Sequence, residues 1–271
     1  MTPVVYRSFV DGPAGGNPAG VVLTPDPLEA EAMLSITRRM AIPTVAFGVP
    51  DDDGAVGTRM FTPSGEIAAC GHASAALAAE VYRTSGGRRQ DVEVRVSGGT
   101  HSLLMWGALD SPTVSMTIRI QDWRSPHPHD LVAETLGVPG HDTFLPAVVV
   151  TGLTHLIVPV ESEAWLSSIE LNHQLWRSLG RSLGIDTFGL IAVGSDSESV
   201  VSLRDVCAPI ADTEEAASGT TSSAVAWYLS RLGHGSQFTV RQGADMGSPS
   251  LLHASVGTDS VRISGVIRPA G

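Results

Sequence analysis

The sequence predicts an α+β protein built from two similar halves, each with a buried helix set among strands. Two observations carry this expectation. First, Glu66-Ile67-Ala68-Ala69-Cys70-Gly71-His72-Ala73-Ser74-Ala75-Ala76-Leu77-Ala78 and Glu214-Glu215-Ala216-Ala217-Ser218-Gly219-Thr220-Thr221-Ser222-Ser223-Ala224-Val225-Ala226 share one plan. Each has an acid, a small side chain bearing S or O four residues later, a Gly, and then small residues at helical spacing. Each also follows a strand-like segment ending in Pro, Met60-Phe61-Thr62-Pro63 and Val206-Cys207-Ala208-Pro209. Second, the Ala-rich face of the first of these helices argues for a helix buried all round, because short side chains let surrounding strands approach closely. The duplicated unit suggests two facing helix N-termini with one site between them.

In chain order, Val4 to Val10 reads as a strand, followed by the turn-rich Asp11-Gly12-Pro13-Ala14-Gly15-Gly16-Asn17-Pro18 and a second apolar run, Ala19 to Leu23. Pro27 to Met40 has helical spacing, with acids concentrated in its first turns. Val45 to Val49 and Ala55 to Phe61 form a hairpin pattern across Pro50-Asp51-Asp52-Asp53-Gly54, whose three Asp read as a solvated turn. Ala68 to Tyr82 is the first small-residue helix. Val92 to Val96, Thr100 to Met105 and Thr113 to Ile120 alternate as strands.

The Pro-flanked stretch Ser125-Pro126-His127-Pro128-His129 is the most linker-like, so the halves are placed at 1–125 and 126–271. A short helix over Leu131 to Leu136, strands over Ala147 to Thr151 and His155 to Val160, and a helix over Leu171 to Leu183 then repeat the plan loosely. Leu190 to Ala192 and Val200 to Val206 read as strands, Ser218 to Arg231 as the second small-residue helix. Gln237 to Arg241, Ser250 to Val256 and Ser260 to Ile267 close the chain as strands.

Composition bounds the function. With 271 residues, 42% hydrophobic and 17% charged, the chain falls among ordinary globular proteins and can bury a large core. A net charge of -11 argues against a broad nucleic-acid or anionic-membrane surface, which would be basic. It leaves room for a small carboxylate held by backbone N–H groups. Two cysteines, Cys70 and Cys207, are too few for a disulfide scaffold or a Cys-based zinc site. No metal-ligand spacing links the histidines, and the Gly-rich Gly12 to Gly16 fits no nucleotide-binding pattern. No signal-like segment and no apolar run of roughly 18–20 residues is present, so the expected setting is cytoplasmic.

The chemistry concentrates at the two helix starts. The first N–H groups of a helix lack intrahelical partners, and the helix dipole adds positive charge there, so such an end holds a carboxylate well. Gly71 and Gly219 would let backbone approach a ligand, with Cys70, His72, Ser218 and Thr220 beside it. The plainer alternative makes Ser218 and Thr220 helix caps and Cys70 a small core residue. A histidine at a helix N-terminus should have its pKa pushed down, leaving an imidazole able to exchange protons near neutrality. His155 could belong to a site or to the core, and the core is the commoner place. Glu66, Glu214 and Glu215 could cap a helix, pair with a base or act as one; for Glu214 capping is favoured.

Gly16-Asn17-Pro18-Ala19-Gly20-Val21-Val22-Leu23 and Phe61-Thr62-Pro63-x-x-Glu66-x-x-x-Cys70-Gly71-His72-Ala73 resemble the phenazine-biosynthesis PhzF-like isomerases. So do Thr151-Gly152-Leu153-x-His155-Leu156-x-Val158-Pro159 and Gln242-Gly243-x-x-Met246-Gly247-x-Pro249-Ser250. That family belongs with diaminopimelate epimerase and proline racemase. The resemblance implies two halves of curved strands wrapped around a central helix, a site in the cleft between, a homodimer, and a cofactor-independent proton shuttle.

It also implies site residues. His72 matches the histidine of Cys-Gly-His, and Glu215 and Thr220 fall on the Asp and Ser of the family's Asp-Pro-x-Thr-Gly-Ser stretch. Asn17, Thr44, Thr62, Gly71, Ala73, Ser218, Gly219, Thr220 and Thr221 would line the substrate, with His72, Glu215 and Cys70 as catalytic candidates. One departure matters. The family's general base is a Glu in Ser-Glu-x-x-Phe, here Pro43-Thr44-Val45-Ala46-Phe47, so a hydroxyl stands where a carboxylate belongs. Threonine is far too weak an acid for that role. His72 or Glu215 must then be the base, or the activity has changed. The paired cysteines of the epimerase branch would fall on Cys70 and Ser218, and with one thiol a two-thiol racemase mechanism does not fit. The readings left are a proton-shifting isomerase, a Cys70-based epimerase or dehydratase, and a carboxylate-binding relative without turnover.

Overall fold

The computed structural model describes residues 3–124, 144–194, 197, 199–207 and 213–270. The expected linker Ser125 to His129 and helix Leu131 to Leu136 lie outside the described residues, as do Ala208 and Pro209. The chain divides into two units, Met1–Thr117 with Ser264–Gly271, and Ile118–Ile263.

In the first unit the elements are β1 (Val4–Ser8), β2 (Asn17–Leu23), α1 (Ala30–Met40), β3 (Thr44–Pro50), β4 (Val56–Thr62), β5 (Gly65–Ile67), α2 (Gly71–Thr84), β6 (Asp91–Val96), β7 (Gly99–Ala108) and β8 (Ser111–Arg119). Strands β1 and β2 pair antiparallel, β2 and β3 parallel, β3 and β4 antiparallel. Strand β4 takes β5 antiparallel on its way to α2 and β6 parallel after it; β6–β7 and β7–β8 are antiparallel. The last strand, β17 (Ser260–Pro269), pairs with both β8 and β1. Eight strands therefore close into a barrel, which leaves no exposed edge.

Helix α2 fills that barrel, packing against β1, β2, β3, β6 and β7. Every residue from His72 to Tyr82 is buried. This is why the run is Ala-rich: there is room for one helix inside eight strands only if its side chains are short. Its few large residues, Leu77, Val81 and Tyr82, each contribute about 1.5–3 kcal/mol by burial. Helix α1 is amphipathic and packs on β3 and β4, its Met33 joining Val22, Val45, Phe47 and Phe61.

The second unit repeats the pairing scheme. Its elements are β9 (Asp122–Arg124), β10 (Ala147–Val150), β11 (Thr154–Pro159), α3 (Glu163–Ser168), α4 (His173–Leu183), β12 (Thr187–Val193), β13 (Val200–Val206), β14 (Glu214–Glu215), α5 (Gly219–Arg231), β15 (Gln237–Gln242) and β16 (Ser250–Val256). Strands β9–β10 and β10–β11 are antiparallel, β11–β12 parallel, β12–β13 antiparallel. Strand β13 takes β14 antiparallel and β15 parallel, and β15–β16 are antiparallel. Helix α5 packs against β10, β11, β12, β15 and β16, as α2 does in its own unit. Trp176 of α4 meets Phe188 edge-on at 5.0 Å in the apolar layer outside β12.

The registers align the two units residue by residue. Ala19 lies opposite Thr44, Val45 opposite Phe61 and Met60 opposite Ile67. His155 lies opposite Thr187, Phe188 opposite Val206 and Asp205 opposite Glu215 in the same order.

The differences from the sequence expectations are local. Helix α2 starts at Gly71, not Ala68, because Cys70 is extended at φ -155° and the preceding residues pair as β5. Helix α4 starts at His173, where Asn172 Oδ1 accepts from Leu175 N–H. Helix α3 was not expected; Ser162 Oγ caps it by accepting from Trp165 N–H. The Asp51 to Asp53 turn is not merely solvated, since Arg95 reaches Asp51 at 2.9 Å and Asp53 at 2.5 Å.

Candidate active site

At the start of α2, His72 is almost fully buried, and its backbone carbonyl accepts from the buried Ser8 Oγ at 2.9 Å. Its ring lies between an amide and a thiol. Asn17 Nδ2 is 3.3 Å from Nδ1, and Cys70 Sγ is 3.3 Å from Nδ1 and 3.7 Å from Nε2. With Asn17 donating to Nδ1, the neutral ring carries its proton on Nε2. Cys70 Sγ also lies 3.9 Å from Thr44 Oγ1, and Thr44 itself is buried. Four expected residues, Asn17, Thr44, Cys70 and His72, are thus brought together. Ser74 N–H makes the first helical bond, to Cys70 O, so the N–H groups of Gly71, His72 and Ala73 precede the helical ladder. Ala73 is fully buried, backbone as well as side chain. Thr62 spends its hydroxyl on the β4–β5 turn, donating to Gly65 O at 3.2 Å and accepting from Ser64 N–H at 3.3 Å.

The start of α5 has the same backbone form. Ser218 is extended at φ -134° and ψ 116°, against -155° and 116° at Cys70, and Ser222 N–H bonds to Ser218 O. Gly219, Thr220 and Thr221 hold the first-turn positions. Here the side chain does cap: Ser218 Oγ accepts from Thr221 N–H at 3.3 Å. Ser218 Oγ also lies 3.2 Å from Thr220 Oγ1 and donates to Thr221 Oγ1 at 3.1 Å. Gln242 of β15 fixes the approach to the helix, its Nε2 donating to Glu215 O at 2.6 Å and its Oε1 accepting from Ser218 N–H at 3.1 Å.

Glu66 and Glu214 are both engaged away from the helix ends. Glu66 pairs with Arg59 at 2.8 and 2.5 Å on the surface. Glu214, expected as a cap, instead pairs with Arg204 at 3.0 and 2.9 Å. The correction has a simple reason: the residues lie on short strands β5 and β14, which turn their side chains toward the neighbouring strand's arginine. The Arg59 guanidinium holds the Glu66 carboxyl below its usual range.

His155 is fully buried, held by Thr151 Oγ1 at 2.7 Å from Nε2 and Thr187 Oγ1 at 2.7 Å from Nδ1; burial pushes its pKa down to about 3. It belongs to the core. Sequence reasoning missed Ser8, Gln242 and, above all, Asp205. Asp205 is fully buried, and Thr221 Oγ1 donates to its Oδ2 at 2.8 Å. Comparing the two repeats would have exposed it, since the matching position is the apolar Met60.

Over residues 6–267 the chain matches the family described as phenazine biosynthesis-like protein. It belongs to that family. It is 28% identical over 270 residues to a trans-2,3-dihydro-3-hydroxyanthranilate isomerase of Pseudomonas aeruginosa, covering 97% of this chain and 93% of that one. A PhzF-family phenazine biosynthesis protein of Bacillus anthracis superposes with a TM-score of 0.87 at 19% identity, over 100% and 98% of the two chains. A probable proline racemase of Agrobacterium radiobacter shares the fold at a TM-score of 0.62 and 12% identity, over 98% and 88%. The α+β fold is shared with these solved structures, and the chain is an isomerase. Among the described residues no helix is long and apolar enough to cross a membrane.

Proposed function

We propose that this isomerase moves a proton, and with it a double bond, in a small unsaturated cyclic amino or imino acid of secondary metabolism, without a cofactor. The reading is carried by the His72 ring fixed between Asn17 and Cys70 at a helix start, in a family of isomerases. The N–H groups at the starts of α2 and α5, with Thr220, bind the substrate carboxylate; Thr62, whose hydroxyl is committed to the β4–β5 turn, lines the substrate without donating to it. His72 and Glu215 act on the same substrate: one takes a proton from carbon, the other returns one to a different carbon. One C–H bond breaks, another forms, and the double bond shifts between them; the base then loses its proton to solvent and the acid regains one from it, so no other reagent is consumed. Thr44 stands where the family's Glu base would be, so the carboxylate role passes to Glu215. We further propose a cytoplasmic homodimer, which sedimentation at micromolar concentration tests.

The test is turnover, followed by NMR, of a panel that includes trans-2,3-dihydro-3-hydroxyanthranilate and pyrroline carboxylates. Wild type should isomerise at least one member, and His72→Ala and Glu215→Gln should each lose turnover by about 10²-fold or more. Equal turnover in the variants would refute the assignment. The Cys70–His72 contact at 3.3 Å favours one second reading, a thiol-based epimerase or dehydratase. In that case Cys70→Ala abolishes turnover and the Cys70 thiol reacts readily with alkylating agents; in the leading reading Cys70→Ala retains most activity.

A further inference from the structure

The second unit contains a buried polar cluster that the first lacks. Where the first unit has Met60, Ile67 and Ala19, the registers place Asp205, Glu215 and His155, and the matched helix starts set Thr221 where the first unit has Ala73. The same backbone closes without these groups in the first unit, so the fold alone does not demand them. Asp205 and Glu215 are directly opposed on antiparallel strands, which puts their side chains on one face. Gly189 of β12 opposes Asp205 on the other side and contributes no charge. Among the described residues the titratable groups around Asp205 are Glu215 on β14, His155 on β11 and Cys207 just past the end of β13, with only hydroxyls from α5 and its cap Ser218. Arg204 is committed to Glu214. No cation therefore offsets a charge on Asp205, and its Oδ1 has no hydrogen-bond partner among the described residues.

A line of hydroxyls runs from Asp205 toward solvent. Asp205 Oδ2 meets Thr221 Oγ1 at 2.8 Å, Thr221 Oγ1 meets Ser218 Oγ at 3.1 Å, and Ser218 Oγ meets Thr220 Oγ1 at 3.2 Å. Ser218 and Thr220 are half-buried, whereas Asp205 and Thr221 are fully buried. An ionised carboxylate only accepts, so it draws each hydroxyl hydrogen inward and leaves Thr220 presenting lone pairs outward. A protonated carboxyl donates to Thr221, and the line reverses until the Thr220 hydroxyl donates outward. His155 does not divert the line, because Thr187 holds its Nδ1 at 2.7 Å against 3.3 Å to Thr221.

We propose that Asp205 is a positioning residue whose protonation sets the direction of the Thr221–Ser218–Thr220 hydroxyl line, so that the substrate carboxylate is held while Asp205 carries its proton. The inference rests on the proposed role of Thr220 in carboxylate binding. Burial, with the negative charge of Glu215 adding to it, pushes the Asp205 pKa up to about 7, where the switch would operate under ordinary conditions.

Two measurements decide it. In ligand-free protein labelled at Asp ¹³Cγ, the resonance lost in Asp205→Asn should titrate near neutrality, and Glu215→Gln should lower its midpoint. A midpoint near the ordinary carboxylate value of about 4 overturns the proposal, whether or not any substrate turns over. With the substrate turned over by wild type, KM should rise about tenfold per pH unit above that midpoint, while Asp205→Asn, which cannot ionise, keeps a flat KM with kcat little changed. A KM profile that the substitution leaves unaltered reduces Asp205 to a structural role. If nothing turns over, the proposed function fails, and the ¹³C midpoint still rules on Asp205.

Discussion

Gly243 sits at φ +76°, just after the Gln242 that clamps the α5 approach, and a Cβ there would lie 2.4 Å from Ser248 O and 2.6 Å from Ala216 O. Both obstacles are backbone and cannot rotate away. Gly243→Ala should therefore cost at least about 2 kcal/mol in chemical denaturation, from the left-handed conformation and the clash together. Gly247, at φ +69° with nothing within 4 Å of its would-be Cβ, isolates the first effect, so Gly247→Ala should cost only about 1 kcal/mol. Equal losses would mean that the chain around Ala216 yields. At the site itself, Asn17, Cys70 and His72 were legible in the sequence because short motifs carried them. Ser8 was not, since nothing about a lone serine in a strand announces a bond to a helix 64 residues on.

Short strands decide what the acidic residues before each helix do. Arg59–Glu66 and Arg204–Glu214 are the same ion pair in the two repeats, but their surroundings differ. Side-chain exposure is 41% and 40% in the first and 10% and 11% in the second. Exposed pairs are worth about 0.2–1 kcal/mol, while breaking a buried one leaves an uncompensated charge and costs about 3–5 kcal/mol. Arg204 also donates to Leu166 O and Ile169 O, tying down the end of α3. Glu214→Gln should thus destabilise the protein several-fold more than Glu66→Gln in denaturant melts; similar losses would contradict the burial argument. At this scale α2 and α5 were legible from their runs of small residues. The start of α5 was placed within one residue, whereas that of α2 was placed at Ala68 because β5 is only three residues long, too short to show periodicity. The pairing partners of β5 and β14, Arg59 and Arg204, decided the glutamates' roles.

Across the whole molecule, duplication explains both what the sequence revealed and what it hid. Matched helix starts and matched registers made two similar halves readable, but the repeats were compared at their motifs and not along their strands. A single Asp in an apolar strand reads as solvent-facing, and only the register against Met60 shows it is core. Asp205 and His155, both fully buried, have a global consequence. With its pKa raised to about 7, Asp205 keeps a proton that the unfolded chain loses above about pH 4; that stability is present below pH 4 and lost as pH rises to 7. With its pKa lowered to about 3, His155 refuses a proton that the unfolded chain takes below about pH 6.5; that stability is lost as pH falls. Between about pH 4 and 6.5 the two slopes oppose. Asp205→Asn removes one of them, so its stability relative to wild type should climb by about 1.4 kcal/mol per pH unit across that window. Parallel stability curves would show that Asp205 does not hold the proton.

The central claim is that His72 and Glu215 carry a proton between carbon atoms, and solvent deuterium reads this most directly. In D₂O, wild type given trans-2,3-dihydro-3-hydroxyanthranilate or another member of the panel that it isomerises should place deuterium at a carbon, as followed by NMR. His72→Ala and Glu215→Gln should each slow that uptake by about 10²-fold or more. Uptake at the wild-type rate in both variants, or isomerisation by wild type with no deuterium entering any carbon, would contradict the account.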